Sequence, residues 1–257
     1  MFLSKYLIPS LLLMSFTTGA QQVLTIARGN ENYSPYEMKS VEGELYGFHI
    51  DLVKLAAKQA GYTVQFNSLP WKRAMQDAKD GAVDAILYIS RTKEREQFLY
   101  YLDKNKISEV RFHFLINVKN QGDIKFSGDV DEILKGRMLL VQRGFSYGAL
   151  VDNPMYKKHE VAAAEQLVNM IAKERSELGI MNIYGFNYMF RDQHQVITLG
   201  TPVKTKKAYI AFSRKGSSLE VTQRFADALE AVKGTEQYQV LLKRYLYPAK
   251  VKVSHPE

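Results

Sequence analysis

A chain of 257 residues with 46% hydrophobic and 24% charged positions can bury a sizeable core, and it has neither a disordered nor a fibrous composition. It holds no cysteine, which excludes a disulfide framework, a zinc-thiolate site and a thiol nucleophile. The formal net charge of +8 is spread along the chain without an arginine-rich arm or a basic helix, so it reads as a solvated basic surface and argues against a nucleic-acid partner.

The chain opens on the charge, apolar-core and small-residue order of a secretory signal: Lys5, then Leu7 to Phe16, then Thr17, Thr18, Gly19 and Ala20. Cleavage is expected after Ala20, giving a signal peptide over 1–20 and a periplasmic destination. The apolar run is too short for a permanent membrane anchor. Val23 to Ala27 reads as a buried strand running into a loop at Gly29 and Asn30, and Gly43 to Gly47 as a hairpin turn. Leu52, Leu55, Ala56 and Ala60 fall at helical spacing before Gly61. Tyr62 to Phe66 is the next strand, Trp71 to Lys79 a short helix stopped by Gly81, and Val83 to Ile89 a further apolar strand. Strand and helix units in succession predict a parallel α/β sheet.

Near residue 110 the pattern starts again. Val110 to Val118 reads as a strand, 120–128 as a loop, Met138 to Val141 as a strand ending at Gly144, Ala163 to Ala172 as a helix with Leu167, Met170 and Ile171 inward, and Leu178 to Ile183 as a strand. Ala208 to Phe212 begins the last part. Ser217 and Glu220 have the spacing of a capping box ahead of a helix carrying Phe225, Ala226, Leu229 and Val232, and Thr235 to Tyr245 reads as a final helix.

Three segments stand out in order: Asn32-Tyr-Ser-Pro-Tyr-Glu37 with Gly47-Phe-His-Ile-Asp-Leu52; Pro70-Trp-Lys-Arg-Ala74 with Gly81-Ala-Val-Asp-Ala-Ile86; and Ser90-Arg-Thr-Lys-Glu-Arg95. Together they resemble the periplasmic amino-acid-type solute-binding proteins, family 3, of ABC importers. The resemblance implies an α/β, two-lobed periplasmic binding protein fold of type II, each lobe a β-sheet flanked by helices. One lobe would hold 22–109 and 206–257, the other 110–205. A small carboxylate-bearing ligand would sit in the cleft, hinge closure would enclose it, and a monomer would hand it to a permease in the inner membrane. Neither cofactor nor metal is implied.

By the same resemblance Arg95 grips the ligand's carboxylate. The chemistry suits it, because a planar guanidinium offers parallel donors to two oxygens; the plain alternative is a surface arginine in the charged turn Lys93-Glu-Arg-Glu96. Thr92 would cap the turn that presents it. Trp71, the single tryptophan, aligns with an aromatic that covers the ligand, although it would equally serve as a core residue opening a helix. Tyr33 aligns with a ligand-facing aromatic. Asn30, Ser90, the backbone of Tyr88, and Ser146 after Gly144 are further candidates, each of which could instead satisfy its own loop.

The sequence departs from the family's pattern at two positions. Asn182 stands where amino-acid binders place an aspartate for the ligand's ammonium, and an asparagine brings no charge; Glu177 would face away from it. His49 replaces an aspartate and is expected to cap a helix. Arg28, Arg73, Arg91 and Arg143 border the cleft segments, and Glu31 is the one acid expected near it. These features together predict a preference for acidic ligands. A sensor subunit that docks on a membrane receptor is a rival reading. A dehydratase-like enzyme is another, but GxSxG and HExxH are both absent, and no nucleophile-and-base or paired-carboxylate pattern stands out.

Overall fold

The computed structural model describes residues 22–248; the expected signal over 1–20 and its cleavage point lie outside the described residues. In chain order the first elements are β1 (Val23–Gly29), the hairpin β2 (Met38–Lys39) and β3 (Leu45–Tyr46), α1 (Phe48–Gln59), β4 (Thr63–Leu69), α2 (Trp71–Asp80), β5 (Ala85–Ile89), β6 (Leu99–Tyr100) and β7 (Lys106–Asn117). There follow α3 (Val130–Leu134), β8 (Leu139–Gln142), α4 (Ala149–Asp152), β9 (Lys158–Val161), α5 (Ala164–Ala172), β10 (Leu178–Asn182), α6 (Ile183–Met189), β11 (Val196–Thr198), β12 (Lys204–Ser213), α7 (Leu219–Lys233) and α8 (Glu236–Leu241).

The main sheet runs β4-β1-β5-β12-β7-β10-β8-β9, with β6 on β12 and β11 on β7. Its first half is parallel, β1 lying between β4 and β5. Leu24, Ile26, Leu52, Val53, Phe225 and Leu229 fill one face beneath α1 and α7, and Ala27, Ala74, Ala78 and Ile86 fill the other beneath α2. The second half has β8 parallel to β9 and β10, with α5 covering one face through Leu167, Val168 and Ile171. Val168 takes the inward place expected of Met170, which is only half-buried. Helix α5 lies so close to β10 that a Cβ on Gly179 would stand 2.7 Å from the Ile171 side chain, so a larger residue there would force the Ile171 and Leu167 side chains to shift.

Two long antiparallel strands join the halves. β12 pairs β7 from Lys204↔Phe112 to Tyr209↔Lys106, with a register shift at Ala208/Tyr209. It then pairs β5 through a second irregularity between Tyr209 and Ala211, and β6 beyond it. Bulges of this kind bend a strand and break its ladder locally. Both strands begin four residues earlier than their apolar runs suggest. Lys106, Ser108 and Glu109 in one and Lys204 to Lys207 in the other are polar, because there the strands bridge the halves instead of filling a core.

Local capping differs from expectation at three places. Ser218, not Ser217, caps α7, its hydroxyl accepting from the Val221 N–H at 3.1 Å, while Glu220 pairs with Arg224. His49 caps nothing: it is the second residue of α1, is wholly buried, and follows Gly47 as N-cap. The strand expected to reach Ile183 ends at Asn182, whose side chain accepts from the Tyr184 N–H and opens α6.

Candidate functional site

Between the two halves lie two neighbouring chambers that share Tyr33, Phe112 and Phe145 as walls. One, of about 210 Å³, is lined by Ser34, Gln142, Glu165, Met181 and Asn182 among others. The second, of about 250 Å³, is lined by Tyr88, Ser90, Gly144, Ser146 and Lys206. Tyr33 comes from the β1–β2 loop and Phe145 from the turn after β8. Their rings stack with centroids 5.6 Å apart at 21°. Contact between the halves continues where Asn182 Nδ2 donates to the Tyr36 hydroxyl at 3.4 Å. It continues again at Gly185, where a Cβ would stand 3.2 Å from the Ser34 carbonyl.

On the Ser90 side, Arg95 Nη1 donates to both the carbonyl and the hydroxyl oxygen of Ser90, each at 2.8 Å. The Tyr101 hydroxyl adds a bond to the same carbonyl at 3.0 Å. Thr92 accepts from the Arg95 N–H at 3.3 Å and so steadies the 3₁₀ turn that carries the arginine. Ser90 therefore spends its oxygen on Arg95 and keeps its proton to donate into the chamber. Tyr88, two residues earlier, has φ 54°. A bulky residue in the left-handed region costs about 1–3 kcal/mol and persists only where its surroundings fix it. Here Tyr33 at 4.8 Å, His49 at 5.0 Å and Tyr36 at 5.8 Å, centroid to centroid, do so. Burial pushes Tyr33 up to about 12 and Tyr88 well above its ordinary value, so both hydroxyls stay neutral.

On the opposite wall the Ser146 hydroxyl donates to Asp152 at 2.7 Å, and the Tyr147 and Gly148 N–H groups bond the same carboxylate. The turn is thus tied to α4, and Ser146 faces a ligand with its oxygen rather than as the expected donor. Asn182 lies in the smaller chamber with its side chain already engaged as helix cap and Tyr36 partner.

Behind the tyrosines runs a buried polar chain. Arg28, fully enclosed, donates from Nε to Glu37 at 2.9 Å, from Nη1 to Ser68 at 3.0 Å and from Nη2 to the Glu31 carbonyl at 2.8 Å. Glu37 meets His49 Nδ1 at 3.4 Å, and His49 Nε2 meets the Ser108 hydroxyl at 2.8 Å. The chain links the β1–β2 loop to the crossing strand β7. Burial pushes His49 below its ordinary pKa, against the opposing pull of Glu37.

The structure therefore brings Tyr33, Tyr88, Ser90, Ser146 and Asn182 to the chambers, with Arg95 fastened behind Ser90. Trp71, packed near Gly29 and 38% exposed, and Asn30, exposed, do not line either chamber. The four bordering arginines do not line them either. Each has a carboxylate: Arg28 with Glu37, Arg73 with Asp77, Arg91 with Glu96, and Arg143 with Glu160. The charged wall residues are instead Lys206, Lys207 and Glu165, and Glu31 gives only its carbonyl, to Arg28. Sequence reasoning missed Phe145 and Lys206. The first had a signal, a large aromatic in a glycine-flanked turn; the second lay in a lysine run that reads as solvated. Among the described residues no group of three His, Asp or Glu side chains is placed to hold a metal ion, and no helix is long and apolar enough to cross a membrane.

Residues 26–248 match the sequence profile described as bacterial extracellular solute-binding proteins, family 3. A probable histidine-binding protein of Neisseria gonorrhoeae is 24% identical over 227 residues, spanning 84% of this chain and 80% of its own. A histidine-binding periplasmic protein of Escherichia coli is 34% identical over 113 residues, 44% and 41% of the two chains. An arginine-binding extracellular protein of Bacillus subtilis is 24% identical over 221 residues, 83% and 82% of the two. Among solved structures, the second substrate-binding domain of Lactococcus lactis GlnP, in an open conformation, superposes with TM-score 0.66 at 19% identity, covering 90% of this chain and 98% of that one. An ancestral amino-acid-binding protein described as a precursor of cyclohexadienyl dehydratase gives 0.65 at 19% identity, covering 87% and 95%.

Proposed function

The chain belongs to the bacterial extracellular solute-binding proteins, family 3, with their two-lobed type II fold, and from that premise we propose that it captures an amino acid or related organic acid between its lobes and delivers it to the permease of an ABC importer. The lobes of this reading are 22–109 with 206–257, and 110–205. They rotate about the β7–β12 pair, whose bulges at Ala208 to Ala211 lie where β12 passes from one lobe to the other. The protein is exported, its signal cut after Ala20, and it catalyses no reaction. Histidine and arginine are the ligands in the names of its relatives, and what all amino acids share with organic acids is a carboxylate.

One observation carries this reading. Residues from four distant stretches, 32–34, 88–90, 142–146 and 181–185, converge from both halves on two adjoining chambers. The carboxylate is received at Ser90 and Arg95, where a hydroxyl proton and the free edge of a guanidinium are both on offer. The ligand's body lies against Tyr33 and Phe145, whose rings sandwich apolar or planar groups at little entropic cost.

A thermal-shift panel of the twenty amino acids and the common dicarboxylates tests it, since a ligand that binds only the folded state raises the melting midpoint. At least one member is expected to do so, and small-angle scattering with that ligand should show a smaller radius of gyration. A flat panel would overturn the ligand class, and an unchanged radius at saturation would overturn closure.

A further inference from the structure

Lys206 stands on β12 in the larger chamber, whose wall it shares with Ser90 and Ser146. Its ammonium lies 5.3 Å from the centroid of the Phe112 ring and donates to the Ser146 carbonyl. Among the described residues no carboxylate comes within salt-bridge distance of it. In this it differs from the four arginines expected to border the cleft: Arg28, Arg73, Arg91 and Arg143 each have an acid within reach. Half-buried and lacking a counter-ion, the group pays a desolvation cost that the ring and one carbonyl offset only in part. Burial accordingly lowers its pKa, although the more distant Asp152 pulls it upward. Lys207 lines the same chamber, so a cation entering there would meet two like charges.

Arg95 sits behind Ser90, its Nη1 donating to both Ser90 oxygens. Ser90 with Arg95 behind it, and Lys206, are therefore two separate anion-attracting points at this chamber. We infer that Lys206 is a specificity-determining residue that receives a second anionic group of the ligand, so that acidic amino acids or dicarboxylates are taken in preference to neutral and cationic amino acids. The inference rests on the proposed carboxylate-capturing function and narrows it. It departs from the histidine and arginine named for the relatives, because the residue facing the ligand here is a lysine and the position expected to hold an ammonium carries Asn182.

The test is a calorimetric panel on the whole chain and on Lys206→Met and Lys206→Arg, using glutamate, glutamine, succinate, histidine and arginine as probes. Methionine keeps the packing over Phe112 and loses the charge; arginine keeps the charge. Wild type should bind glutamate about tenfold or more tighter than its neutral isostere glutamine. Lys206→Met should erase that ratio while holding glutamine near its wild-type affinity, and Lys206→Arg should retain it. An unchanged ratio in Lys206→Met overturns the inference, as does tighter wild-type binding of histidine or arginine than of glutamate. An equal loss for every probe also overturns it, by assigning Lys206 to the upkeep of the Ser146 turn. If neither glutamate nor succinate binds the wild type, the inference falls as well, while the proposed function falls only if the thermal-shift panel of all twenty amino acids and the dicarboxylates is flat.

Discussion

The rings of Tyr33 and Phe145, 112 positions apart in the sequence, stack at 5.6 Å and form the partition between the two chambers of the cleft. One comes from each half of the molecule, so the pair exists only when the halves approach. Tyr33 is held from behind by Tyr36 at 5.7 Å and Tyr88 at 4.8 Å. Phe145 remains 36% exposed on its turn. Tyr33 is thus the more enclosed partner of the pair and Phe145 the more exposed one.

Phe145→Ala should weaken ligand binding about three- to tenfold, the worth of one aromatic pair, with almost no change in melting temperature because little buried area is lost. Calorimetry beside a thermal melt checks both. A large drop in stability with unchanged affinity would assign the ring to folding instead.

Arg95→Ala should lower affinity for a carboxylate ligand by about ten- to a hundredfold, the loss of one charge-assisted contact. Arg95→Lys should not restore it, since an ammonium cannot hold both Ser90 oxygens and still present a second donor edge. Affinity at the wild-type level in Arg95→Ala refutes the placement of the carboxylate.

Glu37→Gln should destabilise the fold by about 3–5 kcal/mol, because it strands Arg28, 1% exposed, without a counter-charge. Urea unfolding measures this. Adding Arg28→Met should recover part of the loss by removing the unpaired charge, and strictly additive losses would show that the two are not coupled.

His49 sets an acid limit. Burial holds its pKa below the ordinary 6.5, so the unfolded chain takes up the proton first. Its contribution to stability is whole above 6.5 and is lost as the pH falls below that value toward the lower folded pKa. His113, pushed down by burial as well, acts with the same sign. The urea midpoint should therefore fall between about pH 7.5 and pH 5.5, and His49→Gln should fall less over that interval. An equal fall in both proteins would clear His49 of the effect.

Asn182→Asp should leave the fold intact, since aspartate caps a helix as well as asparagine does. It places a negative charge in the smaller chamber, where an ammonium gains from it. Relative affinity for histidine or arginine over glutamate should rise. A panel indistinguishable from wild type would remove Asn182 from the ligand's surroundings.

The sequence by itself determined what depends on neighbours close along the chain. The apolar spacing of Leu52 and Ala56 marks α1, the glycine at 81 ends α2, and the segment Ser90 to Arg95 forms the turn in which Thr92 accepts from the Arg95 N–H. The ordered motifs carried the family and its two-lobed fold. Only the tertiary structure decided where charges and rings find their partners, because those partners lie on other strands and loops. Arg28 looked like a cation facing the cleft until Glu37 and Ser68 enclosed it. His49 stood at the start of a helix like a cap until Ser108, 59 positions away, claimed its ring nitrogen. Lys206 looked like one lysine in a solvated run until β12 crossed between the halves and set its ammonium over the Phe112 ring in a chamber wall. Periodicity reveals which residues are buried, but not which partner across the fold will meet them, and in this cleft the partners determine the chemistry.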